Sequence, residues 1–145
     1  MNTVSKRCTT LILALLMLVM GIYVPFKKAE AAMLYYNTTD AFLSASVNSS
    51  GYLQAWMTVT GKSGKTTLIE ADLYVEKRIL GVFWKRVEIG YNNNVWHDST
   101  TSYSYSNSFG YNLNSTGTYR VTVTYTVSGT GGPADVITLS EIVTY

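Results

Sequence analysis

The segment that most constrains the fold is residues 117–127 (GTYRVTVTYTV), where two classes of side chain alternate without interruption. From residue 119 onward, every second position is Tyr or Val, and the positions between them are Arg or Thr. Successive side chains of a β-strand point to opposite faces. The pattern therefore predicts a strand with one buried and one solvent-exposed face.

Similar alternating runs follow one another from residue 41, separated by clusters of Gly, Asn and Ser. Seven short strands at this spacing are typical of an antiparallel sandwich, and we predict no helix after the N-terminal segment. We therefore expect one all-β domain, an antiparallel β-sandwich of about seven strands, with a closed barrel as the competing architecture. The inward residues are expected to include Leu43, Leu53, Met57, Val59, Thr67, Ile69, Leu73, Trp84, Tyr103, Tyr105, Phe109 and Tyr111, with Trp84 anchoring the fourth strand.

Residues 1–31 have the composition of a signal peptide, with a basic start, an apolar run at 11–24 and small residues at Ala29 and Ala31. The apolar run is shorter than the roughly 18 residues of a membrane-spanning helix, and Pro25 follows it directly. We predict export with cleavage near Ala31. An uncleaved N-terminal anchor is the alternative.

Removing this segment changes the charge of the chain. Residues 32–145 keep seven of the eleven basic and eight of the nine acidic residues, so the net basicity of the full sequence belongs to the leader. A nucleic-acid binder needs a basic patch to displace counterions, and we therefore do not expect this class. Cys8, the one cysteine, also leaves with the leader, so we expect neither disulfides nor thiol chemistry. We assign residues 32–40 to a lead-in and 41–145 to the sandwich.

Few residues suggest catalysis. His97 is the sole histidine and precedes Asp98, but a Ser-His-Asp triad is recognised by geometry rather than by adjacency in sequence. Glu70, Asp72 and Glu76 share the outer side of one predicted strand, where cross-strand ion pairs are favoured over a glycosidase pair in a cleft. One histidine without a thiol is too few ligands for a zinc site. We expect no enzyme activity, no metal and no cofactor.

Three aromatic residues are candidates for ligand binding. If Leu53 and Met57 face the core, Tyr52 and Trp56 point outward from the same strand, and Trp96 lies in the long predicted loop that begins at Asn92. Outward Trp and Tyr side chains are favoured at recognition surfaces because they offer a large amphipathic area. A different strand register, or a position at the rim of the sandwich, is the alternative interpretation for each.

Residues 117–121 (GTYRV) follow an Asn/Ser turn and resemble the entry into the penultimate strand of immunoglobulin-like and fibronectin-III-like domains. The resemblance implies that Tyr119 is a corner tyrosine with a structural role. With residues 51–55 (GYLQA), 84–87 (WKRV) and 140–145, the chain is similar to small secreted single-sandwich proteins of Gram-positive bacteria. The antibody-type cysteine pair is missing. The resemblance implies fold and export, and no catalytic residue.

The favoured function is a secreted, non-enzymatic β-sandwich that acts as a cell-surface or extracellular interaction module. The first alternative is a carbohydrate-binding domain that uses Tyr52, Trp56 or Trp96, and the second is a secreted hydrolase that uses His97. The expected partner is an extracellular protein or a glycan. We expect no nucleic acid, and no stable membrane anchor once the leader is cleaved.

Overall fold

The computed structural model describes residues 35–145, which fold into a sandwich of eight β-strands. The predicted signal peptide, residues 1–31, lies outside the described residues. The strands are β1 (Thr38–Val47), β2 (Tyr52–Gly61), β3 (Thr66–Ile79), β4 (Phe83–Arg86), β5 (Trp96–Thr100), β6 (Ser104–Asn112), β7 (Thr118–Gly129) and β8 (Asp135–Thr144). A single 3-10 turn, Asn92–Asn94, precedes β5.

The strands form two separate sheets in which every pair is antiparallel. Sheet 1 has the order β1-β2-β6, and sheet 2 has the order β4-β3-β7-β8, with β5 also pairing with β3. Placing β3, β7 and β8 side by side corresponds to the C-F-G sheet of immunoglobulin-like sandwiches. The predicted all-β sandwich is confirmed, and the two sheets do not close into a barrel.

The strand with the uninterrupted alternation, β7, supplies the centre of the core. Its Tyr and Val residues are all buried, and β2 and β3 bury their alternate residues against them. The hydroxyl group of Tyr125 donates to the carbonyl oxygen of Phe42 on the other sheet at 2.9 Å, which satisfies a polar atom inside the core. The fully buried residues include Leu53, Met57, Val59, Ile69, Leu73, Val75, Val121, Val123, Tyr125 and Val127.

Two features of the strands differ from the prediction. The segment Trp96–Thr100 was expected to be loop, but it pairs with β3 from Ile69 to Leu73 as β5. Its sequence carries one large apolar residue, so the alternation that identifies the other strands is missing there. The inward positions predicted for Thr67 and Tyr103 are wrong. A register shift at the start of β3 buries Thr66 and exposes Thr67, and Tyr103 precedes β6 and is exposed.

The segment before β1 belongs to the sandwich. Strand β1 begins at Thr38, within the residues that the sequence assigned to a lead-in. The carboxylate of Asp135, at the start of β8, accepts four hydrogen bonds: from the backbone N–H groups of Tyr36, Asn37 and Thr38, at 2.7–2.9 Å, and from the hydroxyl of Thr38. The side chain of Asn37 is fully buried and bonds to the backbone of Val127, Gly131 and Pro133. This network attaches the start of β1 to β8.

Candidate functional site

The outer face of sheet 1 carries three exposed aromatic residues, Phe42, Tyr52 and Trp56. From Asp40 onward on β1, and throughout β2, the odd-numbered residues face the core and the even-numbered residues point to solvent. Trp56, at the centre of the sheet, is 43 % exposed. We call this surface the aromatic face. The predicted outward orientation of Tyr52 and Trp56 agrees with these positions.

The three rings follow a diagonal line across all three strands of sheet 1. Phe42 on β1 lies in the row of Thr58, one row away from Trp56 on β2. The ring of Tyr52 leans over Gly110 on β6, one row to the other side of Trp56. Diagonal neighbours in an antiparallel sheet are separated by about 7–8 Å, which is the backbone spacing between Phe42 and Trp56.

Gly110 determines where the ring of Tyr52 lies. A Cβ atom at this position would overlap the phenolic hydroxyl and would come within 2.8 Å of the Cζ atom of Tyr52. The missing side chain therefore leaves room for the ring on the backbone of β6. At its base, Tyr52 is held by its backbone N–H group, which donates to Asn48 Oδ1 at 2.9 Å.

The aromatic face is almost free of charge. Hydroxyl and amide side chains surround the rings, and the one ionisable side chain besides the tyrosine is Asp40, at one end of the sheet. The other outward residues of sheet 1 are Ser44, Ser46, Gln54, Thr58, Thr60, Ser104, Ser106, Ser108, Gly110 and Asn112. Such a surface can offer flat apolar rings and neutral hydrogen-bonding groups to a ligand at the same time.

Trp96 is not part of this face. It lies on β5 in sheet 2, opposite Leu73, and points towards the core. Its ring packs against that of Phe109 with centroids 6.0 Å apart and an interplanar angle of 57°. The structure therefore brings Tyr52 and Trp56 together and separates Trp96 from them. Phe42, which the sequence analysis did not single out, takes the third position. It is two residues from Ser44 on β1, so the alternation of this strand places both side chains on the outward face.

The two residues with an expected structural role occupy different environments. Tyr119 is buried, and its hydroxyl donates to the carbonyl oxygen of Ser115 at 2.5 Å, as expected of a corner tyrosine. Trp84 is not in the core: it is half-buried on the outer face of sheet 2. The guanidinium groups of Arg120 and Arg78 lie 4.5 and 5.9 Å from its ring centroid. Its packing partners are therefore cations on a solvent-facing surface.

Charged side chains occupy the outer face of sheet 2. Glu76 accepts two hydrogen bonds from Arg120, from Nε at 2.8 Å and from Nη2 at 2.6 Å. The guanidinium of Arg86 lies 3.6 Å from the ring centroid of Tyr74. Glu76 therefore forms a cross-strand ion pair, but its partner is Arg120 on β7 rather than the expected Lys77, Arg78, Lys85 or Arg86 of the hairpin. This charged surface contrasts with the aromatic face of sheet 1.

His97 forms a pair with Asp72 on the same outer face. Nδ1 of His97 donates to Asp72 Oδ1 at 2.7 Å, and both side chains are about half exposed. This hydrogen bond raises the pKa of His97 above its ordinary value, although partial desolvation acts in the other direction. Asp98 points to the other side of β5, where it accepts hydrogen bonds from Asn107 Nδ2 at 2.6 Å and from the hydroxyl of Tyr105. The histidine is therefore paired with Asp72 rather than with its sequence neighbour.

Comparisons with known proteins identify no family: no family model matches the chain, and no curated protein is similar to it. Within residues 35–145, no three His, Cys, Asp or Glu side chains are grouped as they would be around a metal ion. The same part of the chain has no helix long and apolar enough to cross a membrane.

Proposed function

We propose that the chain is a secreted, non-enzymatic binding module and that the aromatic face of sheet 1 is its binding surface. The observation that carries this proposal is the diagonal line of Phe42, Trp56 and Tyr52 across an almost uncharged sheet. Export is supported by the composition of residues 1–31.

The fold does not require these aromatic residues. The wet face of an antiparallel sheet is normally polar, and Ser or Thr occupies most of the neighbouring outward positions. Trp56 lies between Ser44 and Ser108 in its row, so it has no large cross-strand partner. Large apolar side chains that cluster on one surface instead of lying in the core are typical of a recognition site.

The chemistry of the face favours a neutral polysaccharide as the ligand. A sugar ring presents an apolar C–H face that packs on an aromatic ring, and its hydroxyl groups exchange hydrogen bonds with Ser, Thr, Asn and Gln. A line of rings that crosses the sheet matches an extended ligand better than a compact one. A charged ligand would need compensating charges, which the face lacks.

The test is binding of the exported protein to insoluble neutral polysaccharides such as cellulose, chitin and a β-glucan. We expect at least one of them to retain the protein, and Trp56→Ala to weaken retention tenfold or more, the usual scale for a central aromatic contact. Trp84→Ala is the matched control, because it removes the same side chain from the outer face of sheet 2 and leaves sheet 1 intact.

Two outcomes would contradict the proposal. If no neutral polysaccharide retains the protein, the ligand class is wrong. If a polysaccharide retains the wild type and Trp56→Ala equally well, the aromatic face is not the binding surface. Thermal unfolding of each variant shows whether lost binding reflects lost structure.

A further inference from the structure

The hairpin formed by β3 and β4 carries apolar side chains at its end that nothing in the described residues covers. Ile79 pairs with Phe83 next to the turn, and residues 80–82 form the turn itself. Leu80 is 86 % exposed, Val82 69 % and Phe83 65 %, and Ile79 is also exposed. We call Ile79, Leu80, Val82 and Phe83 the hairpin tip. Four neighbouring large apolar side chains in solvent indicate an interaction site.

The backbone conformation of Leu80 is unfavourable for leucine, in addition to the exposure of its side chain. Leu80 has φ +52° and Gly81 has φ +70°, and the N–H group of Val82 donates to the carbonyl oxygen of Ile79 at 3.1 Å. Positive φ at both central residues of such a hairpin turn favours Asn, Asp or Gly. A leucine is disfavoured there by its backbone conformation and by its exposure together. Neither the turn nor the core explains its presence.

Basic residues form a collar behind the tip. Four of the seven basic residues after the predicted leader lie in residues 77–86: Lys77, Arg78, Lys85 and Arg86. Lys77 and Lys85 are directly opposite each other, an arrangement that is unfavourable for like charges. The nearby carboxylate of Glu76 is already bound to Arg120. The hairpin is therefore a local concentration of positive charge on a domain that has slightly more acidic than basic residues.

A cleft of about 330 Å³ lies beside the collar. The residues that line it are Lys77, Ile79, Lys85, Arg86, Val87, Glu88 and Asn114. Nζ of Lys77 already donates to the hydroxyl of Ser115 at 2.6 Å, which holds this ammonium group at the cleft. Lys77 and Lys85 share one face of the hairpin and are the cations at the cleft, because the guanidinium of Arg86 lies over the ring of Tyr74 on the other face. Two neighbouring ammonium groups suit an anionic group such as a phosphate.

The spacing of these parts matches the layers of a lipid surface. Leu80 is three residues from Lys77, which corresponds to about 10 Å along a strand. Apolar groups of peripheral proteins enter the region between headgroups and acyl chains to a depth of about 5–10 Å. Trp84 is next to the hairpin tip and directly opposite Arg78 of the collar, and tryptophan is enriched at the interface of membranes. Lipid phosphates would then lie at the level of the lysines.

We infer that the β3–β4 hairpin docks reversibly on an anionic phospholipid surface, with the hairpin tip among the headgroups and the basic collar on the lipid phosphates. This inference goes beyond the proposed function and does not depend on it. A narrow, projecting apolar end suits a soft surface that closes around it, and the collar supplies the second signal that peripheral attachment needs.

The experiment is co-sedimentation of the exported protein with two kinds of vesicle, pure phosphatidylcholine and phosphatidylcholine with about 30 % phosphatidylglycerol. We expect binding to the anionic vesicles, weakened tenfold or more on the neutral ones and also weakened in about 0.5 M salt, which screens the collar. Lys85→Gln is expected to weaken binding to the anionic vesicles about fivefold, the effect of one basic residue near such a surface.

Leu80→Asn separates docking from folding. Asn is favoured at positive φ, so this variant should unfold at a higher temperature than the wild type and still bind the anionic vesicles at least tenfold more weakly. Ile142→Asn is the matched control, because Ile142 is also an exposed aliphatic residue but lies on β8. All variants share one N-terminus, so differences between them report on the hairpin rather than on the leader.

The inference is overturned if the wild type does not bind anionic vesicles, or if Leu80→Asn binds them as tightly as Ile142→Asn does. Sedimentation velocity without lipid tests the competing occupant, a second copy of the chain. If the wild type does not bind vesicles but self-associates, and Leu80→Asn abolishes this self-association, the hairpin tip is a protein interface instead.

Discussion

At the scale of single residues, the contact between His97 and Asp72 leads to a pH prediction. The Asp72 carboxylate stabilises the charged imidazolium, and Glu70 and Asp98 add smaller contributions, so the pKa of His97 lies above 6.5 in the folded chain. The chain has a single histidine, so its ring protons need no assignment in a proton NMR titration. We expect the measured pKa to exceed 6.5 and to fall in Asp72→Asn.

The sign of the effect on stability follows from this shift. Because folding raises the pKa, the pair stabilises the fold at pH values below the pKa of the unfolded chain, and this contribution is lost as the pH rises through the folded pKa. Both side chains are half exposed, so the contribution is small. A pKa of His97 that is unchanged in Asp72→Asn would show that the hydrogen bond does not persist in solution.

The contact between Gly110 and Tyr52 predicts that Gly110→Ala changes stability in opposite directions in the presence and in the absence of the Tyr52 ring. In a strand, replacing Gly with Ala normally stabilises a protein by about 0.5–1 kcal/mol. In the wild type the new Cβ would collide with the ring of Tyr52, so Gly110→Ala should destabilise the protein. In a Tyr52→Ala background the same change should stabilise it. Urea unfolding of the four proteins measures both effects, and equal effects in both backgrounds would rule out the contact.

At the scale of elements, the attachment of β1 to β8 depends on Asp135. Asp135→Ala leaves three backbone N–H groups without an acceptor in a largely buried site, so we expect a loss of about 2–4 kcal/mol in the free energy of unfolding. Glu141→Ala removes an exposed carboxylate from the same strand and should change stability by less than about 0.5 kcal/mol. Urea denaturation distinguishes the two, and similar losses would contradict the role of Asp135.

Acid should weaken the same attachment. Burial by itself would raise the pKa of Asp135, but the hydrogen bonds from Tyr36, Asn37 and Thr38 outweigh it and hold the pKa below the ordinary value. Because folding lowers this pKa, the contribution to stability is present above the pKa of the unfolded chain and is lost as the pH falls through the folded pKa. Asp135→Asn should therefore show a weaker dependence of stability on pH than the wild type in the acid range. If the pH dependence of stability in the acid range were the same in Asp135→Asn as in the wild type, carboxylates other than Asp135 would be responsible for it.

At the scale of the whole molecule, the proposed export predicts the N-terminus of the finished protein. If the leader is cleaved, mass spectrometry of protein recovered outside the producing cells should show a chain that begins near residue 32. A mass that includes residues 1–31, in protein that stays with the membrane fraction, would favour the uncleaved anchor.

The distribution of side chains over the sandwich relates the two proposals to each other. The aromatic face lies on the outside of sheet 1, and the hairpin tip extends from sheet 2. A glycan ligand and a lipid surface would therefore occupy different parts of the molecule. The two proposals depend on different side chains, and each can fail without the other.

The order of inward and outward residues within most strands was determined by the sequence alone, because alternation is a property of the local backbone. The burial of Leu53, Met57 and Tyr125 and the exposure of Tyr52 and Trp56 follow from it. The corner role of Tyr119 was implied by resemblance, and its hydrogen bond to Ser115 agrees with it.

Tertiary structure alone decided which strands are neighbours. Pairing with β3 makes a strand of residues 96–100, places Trp96 against Phe109 and sets Trp84 among arginines rather than in the core. The bonds between Asp135 and the start of β1 join residues nearly one hundred positions apart. Such contacts depend on the assembly of the two sheets, and no local pattern encodes them. The diagonal of Phe42, Trp56 and Tyr52 exists for the same reason, since it needs the register of three strands at once.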